Sequence, residues 1–262
     1  MEVVINSSAQ FLADLAAKAI DELLRSRGDA VLGLLSGSSP LAVYDALVRR
    51  HHETGLSLAE ARGFLLDEYV GLPPNAPESN LAVIRQQLVS RVDFAPGAVK
   101  APDGRAEDLV EACAQYERDI VAAGGIDLQL LGIGIDGHVA FNEPGSSLAS
   151  RTRVKSLTEQ TRRDDSRFLD EYDIDSVPKY MLTQGLGTIM EARHVILLAF
   201  GQGKAEAVQH LVEGPVSALW PGSVLQYHPH LTVLIDDAAA SRLQLADFYR
   251  HAWANKPSWQ GL

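Results

Sequence analysis

One imidazole and two carboxylates fall within a single short loop, Gly132-Ile133-Gly134-Ile135-Asp136-Gly137-His138-Val139-Ala140-Phe141-Asn142-Glu143-Pro144. Carboxylates beside an imidazole can fix its orientation and favour its protonated form, which suits Asp136, His138 and Glu143 to proton shuttling. A metal site and a structural histidine are the other readings of the same residues. One His with two acids is thin for zinc, and magnesium prefers more oxygen ligands. Gly132, Gly134 and Gly137 also spell GxGxxG after an apolar run, the pattern of dinucleotide-binding loops. That pattern expects a helix to start within the glycines, near a first βα unit. Here His138 to Pro144 lacks helical periodicity and lies halfway along the chain, so a dinucleotide loop is rejected.

Three further places carry chemistry. In Leu66-Asp67-Glu68-Tyr69-Val70-Gly71 two acids end an apolar run, and extended geometry points them to opposite faces. One can therefore face a crevice, where partial desolvation suits it to general-base work; otherwise it is a surface acid. Ser36-Gly37-Ser38-Ser39-Pro40 follows the apolar run VLGLL and leads into a helical pattern. Its backbone N–H groups and hydroxyls could cradle a phosphate, or simply cap the helix. Arg162, Arg163 and Arg167, with Lys204 in Gly201-Gln202-Gly203-Lys204, are cations that an acidic protein can reserve for an anionic ligand, although solvated surface charge is the ordinary role.

Positioning these residues requires a scaffold. Short apolar runs at 2–5, 30–35, 63–66, 126–131, 194–200 and 231–235 read as buried strands, and they alternate with amphipathic stretches. Helices are predicted at about 40–54, 79–92, 105–123, 183–191, 204–212 and 237–253, after a first helix opened by Ser7 with Gln10 as a capping box. Alternation of this kind predicts an α/β fold, a mostly parallel sheet with helices on both faces, in one domain over 1–262. Ligands of such sheets gather outside the carboxyl ends of the strands, where all four places lie. The polar segment 146–179 is too long for an ordinary connection and reads as a lid, either a flap or a small substructure over the sheet edge.

The chain has 262 residues, 46% hydrophobic and 22% charged, enough apolar material for a sizeable core. Thirty-four acids against twenty-three Lys and Arg give a formal charge of -11, which repels nucleic acid. The lone Cys113 excludes an internal disulfide and reads as a small buried side chain in a reducing compartment. With no leader pattern and no apolar window of about 18 residues, a cytoplasmic protein away from membranes is expected.

The segments LDEYVGL, GIGIDGHVAFNEPGSSLASRTRVKSLT, SRF, VPKYMLT and GQGKA resemble the signatures of the glucosamine-6-phosphate deaminase family, through nearly the whole chain. The resemblance implies a modified Rossmann-like single domain without a cofactor, converting glucosamine 6-phosphate and water to fructose 6-phosphate and ammonia. It assigns Asp67 as the base between C2 and C1, His138 as the acid/base that opens the sugar ring, and Asp136 and Glu143 as carboxylates that orient and tune it. Gly37, Ser38, Ser39, Arg167 and Lys204 match the phosphate-holding set, although SGSSP has Ser39 where the family usually has Thr. Some members are hexamers activated by N-acetylglucosamine 6-phosphate; Ser146, Ser147, Arg153 and Lys155 match that site, which brings in an allosteric ligand and a homo-oligomer. The terminal FYRHAWANKPSWQGL is less like those members. A 6-phosphogluconolactonase would need only a base, and a sugar-phosphate sensor of a transcription regulator should carry a helix-turn-helix and a basic face, which this chain lacks.

Overall fold

In a computed structural model, residues 1–159, 162, 177–257 and 259–262 are described. The chain opens with β1 (Glu2–Ile5), α1 (Ala9–Ser26), β2 (Val31–Leu34), α2 (Leu41–Thr54), β3 (Arg62–Leu65) and β4 (Asp67–Tyr69). It continues through α3 (Asn80–Gln87), β5 (Val99–Lys100), α4 (Leu109–Ala122), β6 (Leu128–Gly132), β7 (Arg153–Ser156) and β8 (Tyr180–Thr183). The last described elements are α5 (Leu186–Met190), β9 (His194–Ala199), α6 (Ala205–Val212), β10 (Leu231–Ile235) and α7 (Ala246–Ala254).

All six predicted strands join one sheet, with the two-residue β5 added at an edge. The order is β1-β10-β9-β6-β2-β3-β5, and every pairing is parallel. Parallel strands need covering crossovers, and the central ones are accordingly buried on both faces: β2, β9 and β10 expose none of their residues. Helix α1 presses Leu12, Ala16, Ala17, Ile20 and Leu24 into that core. From β2 the chain steps outward to β3 and β5, whereas from β6 it steps the other way to β9 and β10. The order reverses between β2 and β6, so the crevice for a ligand opens beyond their carboxyl ends.

A second, antiparallel sheet of order β4-β8-β7 was not expected from the sequence. Its strands DEY and RVKS are short and polar, so no apolar run betrays them. Part of the segment read as a lid is therefore a sheet strand: β7 pairs with β8, and β8 with the strand that begins at Asp67. Residues 160–161 and 163–176 of that segment lie outside the described residues.

Several boundaries move for local reasons. Helix α1 is capped by Ser8 rather than Ser7: Ser8 Oγ accepts from Phe11 N at 3.1 Å, and Gln10 donates to Asp14 instead of forming a capping box. The stretch 79–92 divides into α3 and a single 3-10 turn, Val89–Arg91. Helix α5 starts late because Thr183 belongs to β8. The C-terminal helix begins at Ala246 rather than at 237, since Asp236 accepts from Ala239 N at 2.7 Å and turns the chain there. No helix among the described residues is long and apolar enough to cross a membrane.

The amino ends of three central strands converge on one carboxylate. Asp127 accepts from Val31 N, Arg27 Nη1 and Arg193 Nη1, each at 2.8 Å, while its side chain is 3% exposed. Asp127→Ala should lower the unfolding free energy by about 2–3 kcal/mol, the scale of hydrogen bonds to a charged group. Urea denaturation measures this, and a loss well under 1 kcal/mol would show that the sheet closes without this anchor.

Candidate active site

The loop after β6 is shaped by glycines. Gly137 adopts φ +80°, a conformation that disfavours L side chains, and its carbonyl accepts from Gly222 N at 2.8 Å. A Cβ on Gly134 would fall 2.2 Å from the His138 ring, so the imidazole lies directly over that backbone. His138 Nδ1 is 2.7 Å from Asp136 Oδ1 and 3.6 Å from Glu143 Oε2. Because a carboxylate only accepts, Nδ1 carries the proton and Nε2 is the nitrogen left to exchange one. Burial alone would raise the Asp136 carboxyl; hydrogen bonding and charge from His138, a hydrogen bond with Glu143 and the His138 N–H outweigh it and hold Asp136 well below its ordinary value.

One ligand atom from each of these three residues lies within 4.8 Å of the others, which is close enough to grip a cation. The closest pair, however, stands at 2.7 Å. Two atoms bound to one zinc at about 2.1 Å with tetrahedral angles would sit about 3.4 Å apart. The spacing is that of an oriented imidazole–carboxylate pair.

Asp67 and Glu68 open β4, where the backbone passes between sheets. Leu66 N donates to Leu34 O of the parallel sheet at 3.0 Å, and Leu66 O accepts from Gln184 N at 2.7 Å beside the second. The Leu65 carbonyl accepts from Tyr116 Oη at 2.6 Å and Gln184 Nε2 at 3.0 Å. Both acids are buried, at 6% and 8% exposure. Glu68 turns to the start of α3, while Asp67 Oδ1 accepts from Asn80 Nδ2 at 2.6 Å. Thr183, paired with Asp67 across the strands, accepts from Phe141 N at 3.1 Å and so ties β8 to the histidine loop.

The loop after β2 lies against the end of β6, since a Cβ on Gly132 would be 3.7 Å from Ser39 Oγ. Helices α1, α3 and α4 have side-chain caps from Ser8, Ser79 and Asp108, whereas α2, like α5, α6 and α7, has none. The side chains of Ser38 and Ser39 thus do not cap α2, whose Leu41 N donates to Ser38 O at 3.4 Å, and Gly37 in the same loop adopts φ +101°. Tyr44 pins this loop from below: its hydroxyl donates to Leu35 O at 2.8 Å and accepts from Leu35 N at 3.2 Å. After β9, Gly201 N donates to both Asp236 carboxylate oxygens at 3.0 and 2.9 Å, fixing the turn that carries Lys204. Arg162 donates to Val177 O, and Arg163 and Arg167 lie outside the described residues.

Asp67, the Asp136/His138/Glu143 group, the Ser36–Pro40 loop and Lys204 follow β3, β6, β2 and β9, so one edge of the sheet gathers all of them. The sequence reading missed Asn80, Tyr44, Thr183 and Asp236. None left a signal in the sequence; Asn80 follows the cap Ser79, and only its burial sets it apart from an ordinary wet helix start. Ser146 and Ser147 follow the histidine loop, Ser146 buried and Ser147 exposed. Arg153 and Lys155 sit on β7, in register with Thr183 and Met181.

A family model described as glucosamine-6-phosphate isomerases/6-phosphogluconolactonase matches residues 5–234. A curated protein of Beutenbergia cavernae named glucosamine-6-phosphate deaminase is 62% identical over 262 residues, all of both chains. One of the same name from Mycolicibacterium smegmatis is also 62% identical over the full length of both. A solved structure, described as a monomeric glucosamine-6-phosphate deaminase of the NagB superfamily, superposes with a TM-score of 0.89 at 41% identity, covering 92% of this chain and 99% of that one.

The Asp136–His138 pair should be visible in acid. Asp136 titrates lower in the folded chain than its ordinary 3.8, so its contribution to stability is complete above that value and is lost as pH falls toward the folded value. Between about pH 5 and pH 2 the wild type should lose unfolding free energy more steeply than Asp136→Asn. Parallel acid slopes for the two proteins in urea titrations would count against the pairing.

Proposed function

The chain belongs to the glucosamine-6-phosphate isomerase/6-phosphogluconolactonase family, and we propose that its carboxyl-end crevice converts glucosamine 6-phosphate and water to fructose 6-phosphate and ammonia. The observation that carries the reading is the pairing of a buried carboxylate on β4 with an oriented imidazole in the loop after β6, on one edge of the sheet. Lactone hydrolysis would need only a base. Isomerisation with deamination needs both, because the ring must open before C2 becomes acidic next to an aldehyde.

The steps follow from those roles. His138, its Nδ1–H held by Asp136, uses Nε2 to move the proton that opens the pyranose; Glu143 sits against the same ring. Asp67 then takes the proton from C2 and returns it at C1 through an enolamine, leaving a ketimine at C2. Water adds to that carbon, ammonia leaves, and the ketose phosphate remains. Gly37, Ser38, Ser39 and Lys204, with Arg167, hold the phosphate; the uncapped start of α2 supports this, since its N–H groups and dipole favour an anion.

Ser146, Ser147, Arg153 and Lys155 form the proposed site for N-acetylglucosamine 6-phosphate as activator. Ser146 Oγ is buried without a hydrogen-bond partner among the described residues. Burial lowers the Arg153 guanidinium from its usual range, with the nearby Cys113 opposing, and its one hydrogen bond among the described residues is to Arg151 O at 3.3 Å. Arg153, Thr183 and Asp67 share one row of the second sheet, which links this site to the base. A sigmoidal rate curve straightened by the activator supports the assignment, and a hyperbola indifferent to it sinks it. Sedimentation with and without activator separates a homo-oligomer from a single-chain form. A cytoplasmic setting is proposed from the lone buried Cys113.

Ammonia and fructose 6-phosphate should appear one for one from glucosamine 6-phosphate. Asp67→Asn should cut kcat by about 10²–10⁴ while leaving substrate binding largely intact. Lys204→Ala should raise KM about tenfold or more with kcat little changed, as loss of a charged phosphate contact does. Full turnover by Asp67→Asn would remove it as the base, and a pure kcat defect in Lys204→Ala would remove the lysine from the phosphate site.

A further inference from the structure

The carboxylate of Glu68 accepts four hydrogen bonds. Oε1 receives Tyr69 N at 2.9 Å and Asn80 N at 3.0 Å; Oε2 receives Ser79 Oγ at 2.9 Å and Leu81 N at 3.0 Å. Two of these donors are the first N–H groups of α3, so a negative charge sits on the positive end of that helix and fastens it to β4. Asn80, the first residue of α3, is thereby fixed in place beside the preceding residue of the strand. Its side chain is buried, and its Nδ2 donates to Asp67 Oδ1 at 2.6 Å and to Asp67 O at 3.2 Å. Both partners can only accept, so the amide must present its NH2 group to them.

We infer that Asn80 is a positioning residue for Asp67, and that Glu68 holds Asn80 in the place where it can act. The inference rests on the reading of Asp67 as the base. A bond from a neutral amide fixes the side chain by one oxygen and favours its ionised form without supplying a positive charge. The second bond, to the Asp67 carbonyl, prevents the amide from rotating away. Among the described residues, the titratable groups near Asp67 include three on its own and neighbouring elements. The Tyr116 phenol of α4 is pushed well above its ordinary value, chiefly by burial and in part by Asp67, and stays neutral; Glu68 on the same strand is turned to α3; Arg153 stands two strands away.

The test compares kcat and KM from about pH 5 to pH 9 in the wild type, Asn80→Leu, Asn80→Asp, Glu68→Gln and Asp67→Asn, with a melting curve for each. In Asn80→Leu the carboxylate loses a donor that favours its charge, so the acid limb of the rate profile should move to higher pH by about one to two units. Its plateau kcat should fall about ten- to a hundredfold with KM changed less than about threefold. Asn80→Asp, equal in shape, covers the case in which the leucine variant fails to fold. Two carboxyls so close cannot both ionise, and its acid limb should move the same way. Glu68→Gln should shift the limb less than either. Folded Asn80 variants with the wild-type limb and kcat within threefold would overturn the inference, as would a fall in kcat with an unmoved limb, which marks a merely structural role. An active Asp67→Asn would instead overturn the base assignment itself, so the two failures are told apart.

Discussion

The passage of the backbone from one sheet to the other at Leu66 is the constraint on which the site depends. Its N–H closes the bonding of β3 to β2, and its carbonyl opens the bonding toward β8. A strand continuing straight would carry the next two acids past the sheet edge into water. The change of partners bends them inward, and the Leu65 carbonyl, which the two-residue β5 cannot serve, is taken by Tyr116 and Gln184. Without those two side-chain donors the bend would bury an unsatisfied carbonyl, which costs more than a typical hydrogen bond gains.

The same logic governs the other loops at this edge. Each leaves a parallel strand where its backbone groups have run out of sheet partners, and each is held by a side chain from a neighbouring element: Tyr44 at Leu35, Asp236 at Gly201, Thr183 at Phe141. The loops therefore have the rigidity of the scaffold while exposing polar groups at the crevice. The loop after β2 shows the consequence most directly. Tyr44 fixes the strand end, and the hydroxyls of Ser38 and Ser39 do not cap α2.

Much of this was legible in the sequence because it depends on local pattern. The six buried strands are apolar runs, and Asp136, His138 and Glu143 lie close in space largely because they lie close in the chain. What the sequence hid depends on partners far apart. Strands β4 and β7 are short and polar, and β8, which buries Met181 and Leu182, is only four residues long, so pairing with one another rather than a long apolar run defines them. The contact of Asn80 with Asp67 spans 13 residues and accompanies the docking of α3 on Glu68. The expected C-terminal helix began too early because periodicity across 237–245 cannot reveal that Asp236 turns the chain.

The two aspartates of the site show how one edge can host opposite demands. Asp136 is paired with an imidazole and held as an anion, so it serves as a fixed charge that orients its neighbour and is poorly suited to collect a proton. Asp67 is gripped as tightly, but by an amide that carries no charge. A guanidinium in place of Asn80 would bind the carboxylate more strongly and, by favouring its charged form, weaken it as a base. A hydrophobic side chain there would leave it stronger but loose. A neutral donor with two bonds supplies orientation at the least loss of basicity, which suits the proposed role of a group carrying one proton between adjacent carbons.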